Sequence, residues 1–260
     1  MKTLLARLAP GLSALLLVVA PAAAGLQDPE ELPDKREEVK ALLDEFAGHV
    51  KKKGDEDDKA IAVIDQLYQE FENSGPKDRA AIVKGLEKCF SSKRKAKEDG
   101  TPDNGLYIAA ATAMRDMGPE CVKPLIKLIG HKNHRNDLAL QRRLILSLGN
   151  TKHEDGMKPL MDLLNHKDAV VQAAAAEALS QFDEAEQADR KKAFEQLLKT
   201  LMRQQAVVDT DPDNLEARER YDTISAPIIS SLQSLSGHDE RNPHEWQSWW
   251  NNNKKKDWDE

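Results

Sequence analysis

From Val39 to Val50 the apolar residues fall at steps of three and four: Val39, Leu42, Leu43, Phe46 and Val50. Side chains at that spacing stack on one side of a helix. Farther along, Leu125, Leu128 and Ile129 repeat the pattern. Three Ala-rich stretches, 108–118, 140–149 and 171–181, place Met117, Leu148 and Leu179 at constant steps of 31. No run alternates Val, Ile, Thr or Tyr with polar residues, so the strands of a sandwich or barrel are not expected. The pattern predicts an all-helical chain.

The chain also resembles itself. KPLIKLIGHK (123–132) and KPLMDLLNHK (158–167) share six of ten positions, and VKGLEKCFSSK (83–93) shares five of eleven with 122–132. The first two Ala-rich stretches are each followed by one of these segments, which gives a unit of two helices, A then B, every 31 to 39 residues. Ala109 to Ala111 and Ala173 to Ala176 let neighbouring A helices approach closely. Neither helix buries its apolar stripe alone, so the units stack. The register predicts pairs at 57–73 with 77–92, 104–117 with 119–130, 137–149 with 154–165, and 168–182 with 187–205. A capping helix within 35–56 precedes them. Behind them 215–235 is helical, kinked or restarted at Pro227 and stopped at Gly237. The stretches 25–34, 51–56, 91–103 and 206–213 read as polar linkers.

The segment DAVVQAAAAEAL (168–179) resembles the A helix of a HEAT repeat, and 137–149 is a looser copy. With the B-helix pattern KPLxxLL, the resemblance covers roughly 57–205. It implies a right-handed α-solenoid of about four HEAT-like helix pairs with helical caps: repeats over 57–206, C-terminal helices and a Trp-rich cap over 207–250, and a polar tail at 251–260. It also implies a scaffold that binds other proteins. One departure is that Gln141 and Gln172 stand where the family often has Arg, which leaves an Asp-to-Arg ladder between repeats open. The ending, WQSWWNNNKKKDW (246–258), resembles that of exported HEAT-repeat proteins of planctomycete-type bacteria.

Composition adds a compartment. Residues 1–24 combine basic Lys2 and Arg7, an apolar stretch over 11–20 and small residues at 22–24, the plan of a secretory signal peptide cleaved after Ala24. Without Lys2 and Arg7, 36 Lys and Arg face 45 Asp and Glu, a net charge of −9. A chain so acidic is not expected to bind nucleic acid, and no stable membrane insertion is expected after cleavage. The expected location is exported, periplasmic or secreted.

No catalytic signature stands out. Phosphate loops, Cys-x-x-Cys and Gly-x-Ser-x-Gly are absent, and His153-Glu154 and His244-Glu245 are followed four places on by Met157 and Ser248 rather than by a second His. His131, His134 and His166 sit in Lys- and Asn-rich turns and read as solvated loop residues; His49 and His238 are isolated. Asp55 to Asp58 reads as a charged loop that starts a helix. Neither a metal ion nor a cofactor is expected, and the chain is read as non-catalytic. The alternatives are a HEAT-like enzyme or chromophore-handling protein of lyase type, or a structural component of the cell envelope.

Three groups of residues remain. Cys89 and Cys121 fall seven residues out of register on neighbouring B helices, about 10 Å along the axis, so free thiols are expected. Trp246, Trp249 and Trp250 share one helical face, either as a cap on the last repeat or as a partner-binding patch. Lys84, Lys123, Lys158 and Lys192 occupy one column of successive B helices, reinforced by Lys88 and Lys127. They read either as a cationic row along the concave surface or as a solvated face. The row would take an acidic protein segment or an anionic envelope polymer.

Overall fold

In the computed structural model, which describes residues 32–259, the described residues form eleven α-helices and no strand. A first helix, α1 (Glu37–Val50), leads into five A–B pairs. They are α2 (Asp57–Glu72) with α3 (Pro76–Cys89), α4 (Gly105–Asp116) with α5 (Val122–Leu128), α6 (Leu138–Asn150) with α7 (Glu154–Leu163), α8 (Ala169–Leu179) with α9 (Gln187–Thr210), and α10 (Leu215–Ser236) with α11 (Pro243–Asn253). One tight turn, Gly118–Cys121, introduces α5, and another, Ser180–Phe182, follows α8. The expected signal peptide lies outside the described residues.

The A helices pack in sequence, α2 on α4, α4 on α6, α6 on α8 and α8 on α10, and the B helices do the same from α3 to α11. Two layers result, with α1 covering both helices of the first pair. Between the layers runs one continuous core that includes Leu67, Leu86, Met114, Leu125, Leu144, Leu160, Leu179, Leu197 and Ile228, all fully buried. Each such side chain contributes about 1.5–3 kcal/mol against exposure. The C-terminal helices continue both layers, so the cap is itself a helix pair in register. Pro227 does not break α10, because the helix is held on α8 and α9 on either side of it.

The neighbouring A helices α6 and α8 approach closely at Gly149. A Cβ on Gly149 would lie 2.7 Å from the Ala178 carbonyl oxygen, so only glycine fits there. Hydroxyls tie the same layer together: Ser147 Oγ donates to the Ala111 carbonyl (2.7 Å) and Ser231 Oγ to that of Ala176 (2.6 Å). Asp137 and Asp168 cap their A helices by accepting from the amides of Leu140 and Val170.

The glutamines that replace the family's arginine have a visible task. Gln141 accepts from the Gly130 amide (2.8 Å) and donates to the His134 carbonyl (3.2 Å). Gln172 donates to the Leu164 carbonyl (2.8 Å) and accepts from Arg220 Nη1 (2.8 Å). Each thus satisfies the backbone of the turn that precedes its own helix. Across the repeat boundary, Asn104 Nδ2 donates to both carboxylate oxygens of Asp137.

The described end of one expected linker, residues 32–34, and part of another, 91–103, are docked. Pro33 and Asp34 lie on the α2–α3 turn, where Asp34 Oδ1 accepts from the amides of Lys77 and Asp78 and so caps α3 from a distant segment. A Cβ on Gly75 would lie 2.5 Å from the Leu32 carbonyl oxygen, so this crossing requires glycine. In the 91–103 stretch Arg94, whose side chain is 2% exposed, makes a bidentate pair with Asp57 at 2.8 and 3.2 Å. Arg94 also lies over the Tyr107 ring.

Candidate protein-binding grooves of the B-helix layer

The B helices expose one row of long polar side chains because their apolar residues, at i, i+3 and i+4, are consumed by the core. Lys84, Lys88, Lys123, Lys127, Lys158 and Lys192 are all exposed on that row. The structure does not make them equivalent. Lys84, Lys88 and Lys127 line one groove between α3 and α5, of about 460 Å³, with Lys132 beside them. Lys158 and Lys192 line a second, between α7 and α9, of about 630 Å³. Lys123 is exposed but lines neither.

The two grooves differ in sign. In the first, four lysines face one carboxylate, Glu87, which pairs with Lys127 at 2.5 Å. Its floor is apolar, built by Phe90 and Leu128. In the second, Glu154, Asp155, Asp162, Asp189 and Glu195 outnumber two lysines. Both of those lysines are paired on their own helix, Lys158 with Asp162 (2.7 Å) and Lys192 with Asp189 (2.8 Å). Exposed pairs of this kind contribute only about 0–1 kcal/mol each, yet they cancel the local field a ligand meets. The column is therefore basic over its first half and acidic over its second. The two pairings follow from the Asp189–Lys192 and Lys158–Asp162 spacings, whereas the acidic excess arises only where α7 and α9 meet.

The histidines divide as well. His134 is buried, not solvated as its turn suggested: its Nε2 lies 2.6 Å from the Phe90 carbonyl oxygen, and its ring packs against Phe90 and Tyr107. The reason is an insertion, since the stretch from His131 to Asp137 is four residues longer than the copy from His166 to Asp168. Those extra residues fold inward over α3 and carry His134 with them. His49 Nδ1 lies 2.7 Å from Glu56, and the hydrogen bonds from His49 and then Lys59 hold the Glu56 carboxyl below its ordinary range. Among the described residues no group of three or more His, Cys, Asp or Glu is arranged to hold a metal ion.

Cys89 and Cys121 are both buried and unpaired. Burial raises both thiols above their ordinary pKa, that of Cys121 to about 12, which suppresses the nucleophilic thiolate. The same desolvation raises the Tyr107 hydroxyl to about 12.

At the far end the tryptophans surround Phe194 of α9. Trp246 is fully buried and Trp250 nearly so, with ring centroids 5.6 and 5.1 Å from that of Phe194. Trp249 is half-buried and stacks on His238 at 5.0 Å. The expected polar tail folds back: Trp258 also reaches Phe194, at 5.4 Å, and Asp259 pairs with Arg190. In this arrangement Trp246 and Trp250 close the end of the core and offer no surface to a partner.

No helix among the described residues is long and apolar enough to cross a membrane. No curated protein and no solved structure matches the chain. Residues 134–207, from the turn before α6 to the last part of α9, match the family model for HEAT repeats. The same two-layer packing continues on both sides of that stretch, so residues 134–207 are HEAT repeats within an all-helical solenoid of the HEAT type.

Proposed function

We propose that this chain is an exported, non-catalytic interaction module that holds an acidic protein segment in the groove between α3 and α5. HEAT repeats generally serve as scaffolds for protein interaction, and the signal-peptide pattern of residues 1–24 supports export. The observation that carries the reading is the groove itself, four lysines around an apolar floor on a chain with a net charge of −7. Such a local reversal of sign steers an acidic segment to one place and rejects basic ones. Residues 51–135 hold 17 Lys and Arg against 14 Asp and Glu, whereas residues 136–260 hold 16 against 23. With the preceding residues 32–50 included the counts are 20 against 19, so the groove is a local basic patch in the less acidic half of the molecule.

The test uses a fluorescein-labelled Glu-rich peptide and fluorescence anisotropy. The wild-type protein is expected to bind it at low salt and to lose it as salt rises. The Lys84→Glu, Lys88→Glu, Lys127→Glu variant is expected to lose binding while its helical circular dichroism is unchanged. Equal binding by Lys158→Glu, Lys192→Glu would place recognition in the first groove; loss in that variant alone would defeat the reading. Export is checked separately, by finding the N-terminus of the protein recovered from the exported fraction: a start at Gly25 supports it, and retention in the cytoplasm with residues 1–24 intact refutes it.

A further inference from the structure

Helices α9 and α10, of 24 and 22 residues, are longer than any other pair. Where they outrun their neighbours is fixed by two contacts. Arg203 of α9 donates to Asn165 at the end of α7 (3.2 Å), and Arg220 of α10 reaches the Lys167 carbonyl and Gln172 in the α7–α8 turn. Everything from 204 to 219 therefore lies beyond that turn. The seven residues after Arg203, up to Thr210, extend about 10 Å past it at 1.5 Å per residue.

The overhang is chemically unlike a cap. Among the described residues only three large apolar side chains are exposed, Val170, Val207 and Leu215. Val207 (43% exposed) and Leu215 (70%) sit on the overhang, and Val170 lies in the first turn of α8 beside it. Asp209, Asp211, Asp213 and Glu216, all exposed, flank Val207 and Leu215 along the chain, against one exposed base, Arg218. An apolar centre inside an acidic rim is the negative of the α3–α5 groove, which has an apolar floor inside a basic rim.

Both features lie on the same edge of the solenoid. Helices alternate in direction, so the turns that lead from B to A helices all fall on one side: 90–104, 129–137, 164–168 and 211–214. The groove opens at that edge, since Ser91, His131, Lys132 and Asn133 line it. The overhang is the last of the same turns. Two copies set antiparallel along this edge would each place an overhang at the other's groove, and a two-fold axis would close the assembly.

We propose that the protein pairs with a second copy of itself in this way, the α9–α10 overhang of each seated in the α3–α5 groove of the other. The inference rests on the groove being an acceptor for acidic segments, and it names the occupant in the absence of any other partner. An acidic partner then binds by displacing the second copy.

Sedimentation equilibrium of the purified protein tests it at about 0.01 M salt, where charges act over about 30 Å, and at about 1 M, where they act over about 3 Å. A dimer is expected at low salt and a monomer at high salt. Lys84→Glu, Lys88→Glu, Lys127→Glu alone is expected to be monomeric, because groove and overhang are then both acidic. Asp209→Lys, Asp211→Lys, Asp213→Lys alone is likewise expected to be monomeric, both being basic. An equimolar mixture of the two variants restores opposite charge at both contacts and is expected to dimerise, which misfolded variants would not do. A wild-type monomer at low salt, a dimer unaffected by either variant, or a mixture that stays monomeric overturns the proposal. A monomer that still binds the Glu-rich peptide through the groove overturns this inference alone, whereas loss of both activities removes the functional reading with it.

Discussion

Between α6 and α8 two helices meet at the van der Waals limit through Gly149 and Ala178, with a single hydroxyl bond from Ser147 tying α6 back to α4. Between α3 and α4 the chain takes fifteen residues, 90–104, to pass from one pair to the next, and holds them with Arg94 on Asp57, His134 on the Phe90 carbonyl and Tyr107 on the Ser92 carbonyl. The first joint is a contact of small surfaces and tolerates almost no added volume. The second is a polar clamp, tolerant of volume but dependent on every charge having its partner. The difference also explains why the family model matches 134–207 and not the earlier pairs: the regular pairs lie in the matched part, whereas the long insert and the shortened α5 interrupt the pattern before it.

The largest effect is expected at the clamp. Asp57→Ala leaves the Arg94 guanidinium buried without its carboxylate and should cost about 3–5 kcal/mol, read as a shift in the urea midpoint. The double variant Asp57→Ala, Arg94→Met removes both charges and should recover much of that loss. If the double variant is as unstable as the single one, packing and not charge holds the loop.

Gly149→Val tests the other joint. Its Cβ would overlap Ala178 backbone, so a loss of about 1–3 kcal/mol is expected, with no effect on cleavage of the 93–97 stretch by trypsin. Asp57→Ala should do the opposite and expose that stretch. Increased cleavage in both variants would mean that the two joints open together.

Gln172→Ala is expected to cost less, about 1–2 kcal/mol, from an unpaired Leu164 carbonyl and a loosened Arg220. The same method reads it, and an unchanged midpoint would show that water replaces the glutamine.

The smallest effect is a pH dependence confined to the clamped half. Both thiols are raised in the folded state from an ordinary value of 9.0, so the stability they confer is complete below pH 9 and is lost as pH climbs towards 12. At pH 8 a disulfide reagent should label neither cysteine in the native protein and both in urea. Because Cys89 ends the helix next to the Arg94–Asp57 pair, Asp57→Ala should make it reactive first; equal protection in that variant would show that the clamp does not cover it.

The regular joints were legible in the sequence because they repeat: a step of 31 between Met117, Leu148 and Leu179, and Lys-Pro-Leu at 123 and 158, fix the two-layer stack before any coordinate is known. The clamp was not, because its partners occur once each and are far apart, 37 residues for Arg94 and Asp57 and 44 for His134 and Phe90. The lysines of the column lie exposed on successive B helices, as helical periodicity requires. Its division into grooves of opposite sign depends on which carboxylates share each groove across α7 and α9, and single-helix periodicity does not contain that information.

The turns from B to A helices shorten along the chain, from fifteen residues at 90–104 to nine at 129–137, five at 164–168 and four at 211–214, while the helices they join keep the same packing. Added sequence has thus been absorbed at one edge without moving the stack. The first turn shows how: Arg94 pins its base, and its tip closes on itself, the Lys97 amide donating to the Thr101 carbonyl and the Thr101 amide and hydroxyl donating to the Asp99 carboxylate. Nothing lies within 4 Å of a Cβ built on Gly100 at that tip. The molecule therefore has a natural point of entry for foreign sequence: a short peptide inserted between Asp99 and Gly100 would be displayed beside the basic groove with both layers of the solenoid left as they are.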